Sequence, residues 1–165
     1  TERFATCSTF CAGFPHAFLW FEDIGKMLFA SMLTETRPMD NMKLDFDLPQ
    51  EDELATCLLT GGRCSPYMSL YFPRDEMEYR TYQTLCHASP EDVQRWTDAF
   101  SWLCLKLRVR NVLQKLKKRK GSNGKDVDSR NLPQPDRLLL KSPCHTGRIR
   151  HILKMYPKAQ FVFIH

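Results

Sequence analysis

Three polar residues lie close together near the C-terminal end of the sequence, at Lys141, Ser142 and His145. Ser142-Pro143 has the composition of a helix start, with a hydroxyl at the cap and proline at the first helical position. The first turn of a helix offers backbone N–H groups and a positive field, which both suit a phosphate or sulfate oxygen. A neutral imidazole at His145 can accept a proton. The spacing therefore predicts a site that binds an anionic group beside a proton acceptor.

The segment around these residues predicts the strands and the helix that hold them. Residues 137–141 form a short apolar run, which is typical of a parallel strand buried on both faces. Residues 143–156 carry a helical repeat of apolar residues, and residues 161–164 form a second apolar run. Strand, helix and strand in this order predict a right-handed βαβ unit. On the helix, Ile149, Ile152, Leu153 and Tyr156 are expected to face the core, and Arg148, His151 and Lys154 to point elsewhere.

The predicted topology places the polar residues at the carboxyl end of a strand. Ligands of open α/β sheets bind at that edge, which supports a ligand site formed by Lys141, Ser142 and His145. A simpler interpretation remains open for two of them. Lys141 can be a solvated strand end, and His145 can be a histidine of the capping turn.

The composition of the chain is that of an ordinary globular protein. Its 165 residues suffice for one domain, and no apolar window is long enough for a transmembrane segment. The seven cysteines include no CxxC pair, so we expect no zinc finger and no other metal site. Scattered thiols in a chain of this size indicate a reducing compartment, and we therefore expect a cytoplasmic protein.

Three helices are predicted upstream of the polar residues. The first covers the apolar repeat from Phe14 to Met32, and the second begins near residues 48–53 and ends at Gly61-Gly62. The third begins at Ser89-Pro90 with acids in its first turn. Its core-facing stripe is expected to consist of Val93, Trp96, Phe100, Leu103 and Leu107.

A basic stretch follows this third helix. Residues 106–120 include eight basic residues and no acid, and the net charge of the whole chain is +5. Together with the glycines and prolines that come next, the stretch predicts a frayed helix end that runs into a solvated loop over residues 106–135. No aromatic residue interleaves the charges to stack on bases, so we expect no nucleic-acid partner.

Two longer motifs contain the polar residues. Residues 137–149 read RLLLKSPCHTGRI, and residues 156–165 read YPKAQFVFIH. They resemble the motifs LLKSPxHTxRI and FPxAxFVxIHR of the PAPS-dependent sulfotransferase family, in its lipid and small-alcohol branch. Residues 37–42, 49–53 and 65–73 are similar to the same branch, so the resemblance runs from about residue 14 to the end of the chain.

The resemblance implies a P-loop NTPase-like, three-layer α/β fold with a parallel sheet, here incomplete and rich in helix. It implies transfer of a sulfuryl group from 3′-phosphoadenylyl sulfate (PAPS) to an acceptor hydroxyl, without a metal. Lys141 and His145 would be catalytic, as cation and as base, and Lys141 and Ser142 would bind the donor. The Phe, Met and Tyr residues before Pro73 suit an apolar alcohol as the acceptor, among hydroxyl-bearing small molecules.

The sequence also departs from the family pattern. The GxxRSGTT loop and the Arg-Asp-Pro segment, which hold the donor in the family, are not in it. We therefore expect residues 1–165 to be a single partial sulfotransferase domain that is inactive alone, with residues 106–135 as a basic inserted loop. Some branches carry the base in a Lys-x-His pattern, whereas here Pro143 stands in the third place, so another residue can be the base. The alternative is a non-catalytic α/β interaction module derived from a sulfotransferase.

Overall fold

A computed structural model of the chain describes residues 4–33, 36, 41–123 and 132–164. In these residues two short strands frame a mainly helical chain. The strands are β1 (Phe4–Thr6) and β2 (Arg137–Leu139). The α-helices are α1 (Thr9–Gly13), α2 (Phe18–Phe29), α3 (Asp52–Leu59), α4 (Met68–Tyr71), α5 (Glu76–Arg80), α6 (Pro90–Asn123) and α7 (His145–Met155). Short 3-10 turns cover Ala30–Met32, Pro73–Asp75 and Thr81–Gln83.

The two strands form a parallel pair. Phe4 lies opposite Arg137, and Thr6 lies opposite Leu139. Parallel strands require a long crossover, and here the crossover contains α1 to α6. Helix α6 packs against both strands, against α2 and against α3. The predicted α/β class is thereby confirmed.

The core packs against one side of α6 in two clusters. Trp96, Phe100, Leu103 and Leu107 fall at helical spacing on one side of this helix, and each of them is buried. The first two pack in a cluster with Ile152 of α7, and the last two in a cluster with α1 and α2. Burial of each such side chain contributes about 1.5–3 kcal/mol, so this stripe fixes α6 relative to the strands.

The predicted helix starts and stops are largely confirmed. The Ser89 hydroxyl accepts a hydrogen bond from the Asp92 backbone N–H, which caps α6. Helix α3 begins at Asp52 and ends before Gly61 and Gly62, both of which have positive φ angles. A side chain at either glycine would be strained in that conformation, which explains why glycine ends this helix.

The expected frayed end and loop over residues 106–120 is wrong, because α6 continues to Asn123. Lysine, arginine, leucine and glutamine are good helix formers, which favours this continuation. Acids and carbonyls of other segments also relieve the repulsion between the basic residues. The ammonium group of Lys106 donates to the Pro15 and His16 carbonyls, and Arg110 pairs with Glu22. Part of the predicted inserted loop, residues 124–131, lies outside the described residues.

The predicted βαβ unit is wrong in its second strand. Residues 161–164 are not part of a strand in the described chain. Instead β2 pairs with β1, a three-residue strand too short for the periodicity to reveal. Leu139 is 52% exposed, so β2 is not buried on both faces. A strand forms only where a neighbour satisfies its backbone, and an apolar run alone does not supply that neighbour.

Helix α7 differs from its prediction at its start and on its buried face. It begins at His145, and the Ser142 hydroxyl accepts the Cys144 N–H in the preceding turn. On the expected core face Ile152 is buried as predicted, but Ile149, Leu153 and Tyr156 are partly exposed. The expectation for Arg148 is wrong, because it is fully buried beside Ile152. An arginine is buried only when its charge has a partner, and the partner lies on α3.

Two further observations concern the whole described chain. None of its helices combines the length and the apolar character that a membrane crossing requires. All seven cysteines are free thiols, five of them buried. Residues 37–40 and His165, which belong to the family-like motifs, lie outside the described residues.

Candidate active site

The start of α3 and the segment between β2 and α7 lie side by side. The Asp52 backbone N–H donates to the Lys141 carbonyl, which joins the two segments directly. Three consecutive acids stand at this start, Glu51, Asp52 and Glu53. Each acid contacts a different basic residue of this second segment or of α7, in the order of the chain. We call the three contacts together the acid–base register.

The first contact joins Glu51 and Lys141. The Lys141 ammonium nitrogen lies 2.6 Å from Glu51 Oε1, and the Tyr67 hydroxyl donates to Glu51 Oε2. Burial alone would raise the pKa of Glu51, but these two hydrogen bonds bring that pKa below its ordinary value. Burial and the neighbouring carboxylate raise the pKa of Tyr67. Glu51 is therefore held as a carboxylate, and the Lys141 side chain remains 73% exposed.

The second contact joins Asp52 and His145. His145 Nε2 lies 2.7 Å from Asp52 Oδ2, yet the pair lacks hydrogen-bond geometry. The Asp52 side chain is fully buried, and the His145 side chain is 14% exposed. The ring of Phe100 lies edge-on to the imidazole, with 5.6 Å between the ring centroids. Both ring nitrogens of His145 are buried, so in this conformation neither can meet a substrate.

The third contact joins Glu53 and Arg148, which are both fully buried. The guanidinium donates to both carboxylate oxygens and to the Tyr82 carbonyl. The Ser65 hydroxyl also donates to Glu53 Oε1, over 2.8 Å. The guanidinium carbon lies 4.7 Å from the centroid of the Trp96 ring. This network satisfies the buried charges and fixes α7 against α3, which positions Lys141 and His145 at the helix start.

At the start of α7 the backbone N–H groups already have acceptors within the chain, unlike those of a free anion site. The backbone N–H groups of Cys144, His145, Thr146 and Gly147 all donate to oxygens of residues 142–144. Ser142 is buried, and its hydroxyl oxygen accepts one of these bonds. The Lys141 ammonium group has three donor hydrogens and uses one for Glu51. Lys141 therefore supplies a hydrogen-bond donor between β2 and α7 that is both charged and exposed.

The structure brings two of the three predicted site residues to neighbouring acids. Lys141 contacts Glu51 and His145 contacts Asp52, whereas Ser142 is part of the turn. Sequence reasoning missed the acids, which it assigned only to the favourable end of a helix dipole. Three acids in succession exceed what one helix start requires, and an arginine amid the apolar residues of α7 was the second signal available.

An apolar surface lies next to Tyr67. Helix α4 follows this residue directly. The exposed apolar residues of α4 and of the turn and helix after it are Leu70, Tyr71, Phe72 and Met77. The Gly62 backbone lies against Met68 of the same helix. Apolar side chains beside a few polar groups are the usual lining of a small-molecule site. In the described residues, His, Cys, Asp and Glu form no group of three or more that could hold a metal ion.

Two curated proteins are similar to this chain. One is the omega-hydroxy-beta-dihydromenaquinone-9 sulfotransferase Stf3 of Mycobacterium bovis, which is 29% identical over 153 residues. The matched residues are 91% of this chain and 32% of that protein. The protein of the same name from Mycobacterium tuberculosis gives the same values. The chain thus spans about a third of the length of the curated relatives it matches. No family model and no solved structure matches it.

Proposed function

We propose that this chain is the central part of a sulfotransferase that moves a sulfuryl group from PAPS to the hydroxyl of a small-molecule acceptor. The observation that carries the proposal is the placement of Lys141. This lysine follows the carboxyl end of β2, is held by Glu51 and keeps an exposed ammonium group. The similarity to the two mycobacterial sulfotransferases supports the reaction type.

In this proposal Lys141 stabilises negative charge on the transferring group. The sulfuryl oxygens become the acceptors of the two donor hydrogens that Glu51 leaves available. The Ser142 hydroxyl donates a hydrogen bond to PAPS, while its oxygen accepts the Cys144 N–H. PAPS supplies the activated sulfuryl group. We also propose that segments outside these 165 residues hold the phosphates of PAPS, because the chain spans about a third of its relatives.

His145 is proposed as the base that accepts the proton of the acceptor hydroxyl. The imidazole has to turn away from Asp52 for this step, because both ring nitrogens are buried. Glu51 is the second candidate, since its carboxylate is partly exposed and already contacts Lys141. Bases of this kind contribute about 10²- to 10⁴-fold to a rate.

The acceptor is proposed to be an apolar alcohol. The exposed side chains of α4 and its neighbours lie beside Tyr67, whose hydroxyl contacts Glu51. The relatives are named for a hydroxylated menaquinone, which is an apolar molecule with a hydroxyl group.

We further propose a cytoplasmic location, which the free thiols support. Burial raises the pKa of Cys104 to about 12, so this thiol stays protonated and inert at neutral pH.

Replacement of Lys141 tests the proposal in the full-length protein that contains this chain. Lys141→Met should lower the rate of sulfuryl transfer by about 10²- to 10³-fold, the usual effect of one lost electrostatic contact in a transition state. Lys154→Met is the matched control, because it removes an exposed lysine of α7. If Lys141→Met keeps the parental rate, the proposed role of Lys141 is wrong. If the parent transfers no sulfuryl group, the non-catalytic interaction module replaces the proposal.

The dependence of rate on pH identifies the base. His145→Ala should remove the acidic limb of the pH–rate profile, whereas Lys141→Met should lower the whole profile and keep its shape. Glu51→Gln is compared under the same conditions. Loss of the acidic limb in Glu51→Gln, with a limb retained in His145→Ala, would assign the base to Glu51 and a structural role to His145.

A further inference from the structure

The contact between Asp52 and His145 differs from the other two contacts of the acid–base register. Glu51 and Glu53 each accept hydrogen bonds from their basic partner and from a neighbouring hydroxyl group. In the described part of the chain, by contrast, both carboxylate oxygens of Asp52 and both ring nitrogens of His145 are buried without a hydrogen-bond partner. Buried polar atoms in proteins nearly always have such a partner, so these four atoms require an explanation.

The backbone on both sides of this contact is closely packed. The Asp52 backbone N–H donates to the Lys141 carbonyl, which ties the start of α3 to the segment before α7. A side chain at Gly147 would lie 2.8 Å from the Gln83 carbonyl oxygen, so the first turn of α7 also touches another segment. The movement that this packing allows at the contact is rotation of the His145 side chain.

The geometry of the contact shows what holds the imidazole in its buried position. His145 Nε2 and Asp52 Oδ2 are 2.7 Å apart without hydrogen-bond geometry, so the attraction is one between opposite charges. A protonated imidazole carries the charge that this attraction requires. A neutral imidazole in the same position leaves two polar nitrogens buried and unpaired, which costs free energy that contact with water restores.

The other titratable groups around the pair keep a constant charge near neutral pH. Burial, with a smaller contribution from the nearby Asp52, raises the pKa of Cys104 to about 12 and also raises the pKa of Cys7. Burial raises the pKa of Tyr156 beside Cys104 as well. The charged side chains on either side belong to the other two contacts of the register. Histidine is the side chain that ordinarily changes its charge near neutral pH, so His145 is the variable partner of Asp52.

On the basis of the proposed function, in which His145 is the base, we propose that Asp52 is the positioning residue of this base. Asp52 holds the protonated imidazole in the buried position and releases the neutral imidazole toward the acceptor hydroxyl. The released ring can take the proton of that hydroxyl, whereas the held ring cannot, because both of its nitrogens are covered. Asp52 thereby sets the pH below which the site has no base.

The pH–rate profile of the full-length protein tests this role. Asp52→Asn removes the charge and keeps the size of the side chain, so the acidic limb should move to lower pH by about one unit or more. The rate above the limb should stay close to the parental rate, because the neutral imidazole is already released there. Asp98→Asn, which removes an exposed acid of α6, is the matched control and should leave the profile unchanged.

NMR spectroscopy of the full-length parent tests the movement of the ring without a variant and without activity. The imidazole signals of His145 are identified by their absence in His145→Ala. Their nuclear Overhauser contact with the ring of Phe100 should be strong in acid and should weaken as the imidazole loses its proton. In Asp52→Asn the pH at which this contact weakens should fall by the same amount as the acidic limb.

Several results would overturn the proposal. A parental acidic limb in Asp52→Asn would show that Asp52 does not act on the base. An equal shift in Asp98→Asn would show a general effect of net charge. An Overhauser contact with Phe100 that stays equally strong at all pH values would show that the imidazole remains buried. If the full-length protein transfers no sulfuryl group, the proposed function fails, and the NMR experiment decides whether Asp52 holds and releases the ring.

Discussion

Two regions of the molecule each hold opposite-charge contacts, and these contacts differ in burial. In the acid–base register, Glu53, Asp52 and Arg148 are completely inside the protein. Between α2 and α6, contacts such as Lys117 with Asp23 join two exposed side chains. When a buried charge loses its partner, no water molecule can solvate it in the partner's place. An exposed charge that loses its partner is solvated by water. The two regions therefore predict very different costs for the same kind of substitution.

The largest effect is expected at Arg148. Arg148→Met leaves the Glu53 carboxylate buried without its counter-charge, so the free energy of unfolding should fall by about 3–5 kcal/mol. Urea unfolding followed by circular dichroism measures this change. Arg150→Met, which changes an exposed arginine of the same helix, should alter stability by about 0.5 kcal/mol or less. Similar losses in both variants would contradict the distinction between the two regions.

An intermediate effect is expected at Glu22, which lies between the two extremes of burial. Burial would raise the pKa of Glu22, but hydrogen bonds from Arg110 and Lys26 bring that pKa below its ordinary value. A carboxylate whose pKa is lowered by folding stabilises the protein above the ordinary glutamate pKa of about 4.3. Glu22→Gln should therefore cost about 1.5–3 kcal/mol at neutral pH, the usual value of charged hydrogen bonds.

The pH dependence sharpens this second prediction. The stabilisation by Glu22 is lost as the pH falls through the folded-state pKa, so parent and Glu22→Gln should converge in acid. Unfolding experiments over a pH series measure the difference. Asp98→Asn, which alters an exposed acid of α6, serves as the control. A difference that stays constant from neutral to strongly acidic pH would show that the carboxylate charge does not stabilise the fold.

The smallest effect is expected at Asp23. Its side chain is mostly exposed, as is that of Lys117, so water and salt screen their attraction. Asp23→Asn should lower the free energy of unfolding by about 0.5 kcal/mol or less at low salt, and by still less at high salt. A thermal or urea transition measured at low and high salt tests this expectation. If Asp23→Asn lowered the free energy of unfolding as much as Arg148→Met, burial would not determine the cost of losing a charged partner.

The sequence predicted those features that depend on neighbouring residues. The Ser89 cap, the core stripe of α6 and the glycines after α3 follow from local chemistry and helical spacing. The pairing of β2 with β1 joins residues more than a hundred positions apart, and periodicity holds no information on such a partner. Arg148 was placed on the wrong side of α7 because its partner Glu53 is 95 positions away in the chain.

The same reasoning applies to the candidate site. Lys141 and His145 were recognisable from their motif, and the resemblance of that motif indicated the reaction type. The motif did not predict that His145 would be buried against Asp52 or that Glu51 would contact both Tyr67 and Lys141. Those contacts depend on the three-dimensional approach of α3 to α7.

The acid–base register has a consequence for the order of folding. Its hydrogen-bonded partners are 90 and 95 residues apart in the chain, and α6 lies between them. Closing so long a loop costs chain entropy before these contacts can form and stabilise the fold. We therefore expect α6 and its neighbours to form first and the acid–base register last. A small molecule that binds at Lys141 would then leave the rate of folding unchanged and slow the rate of unfolding.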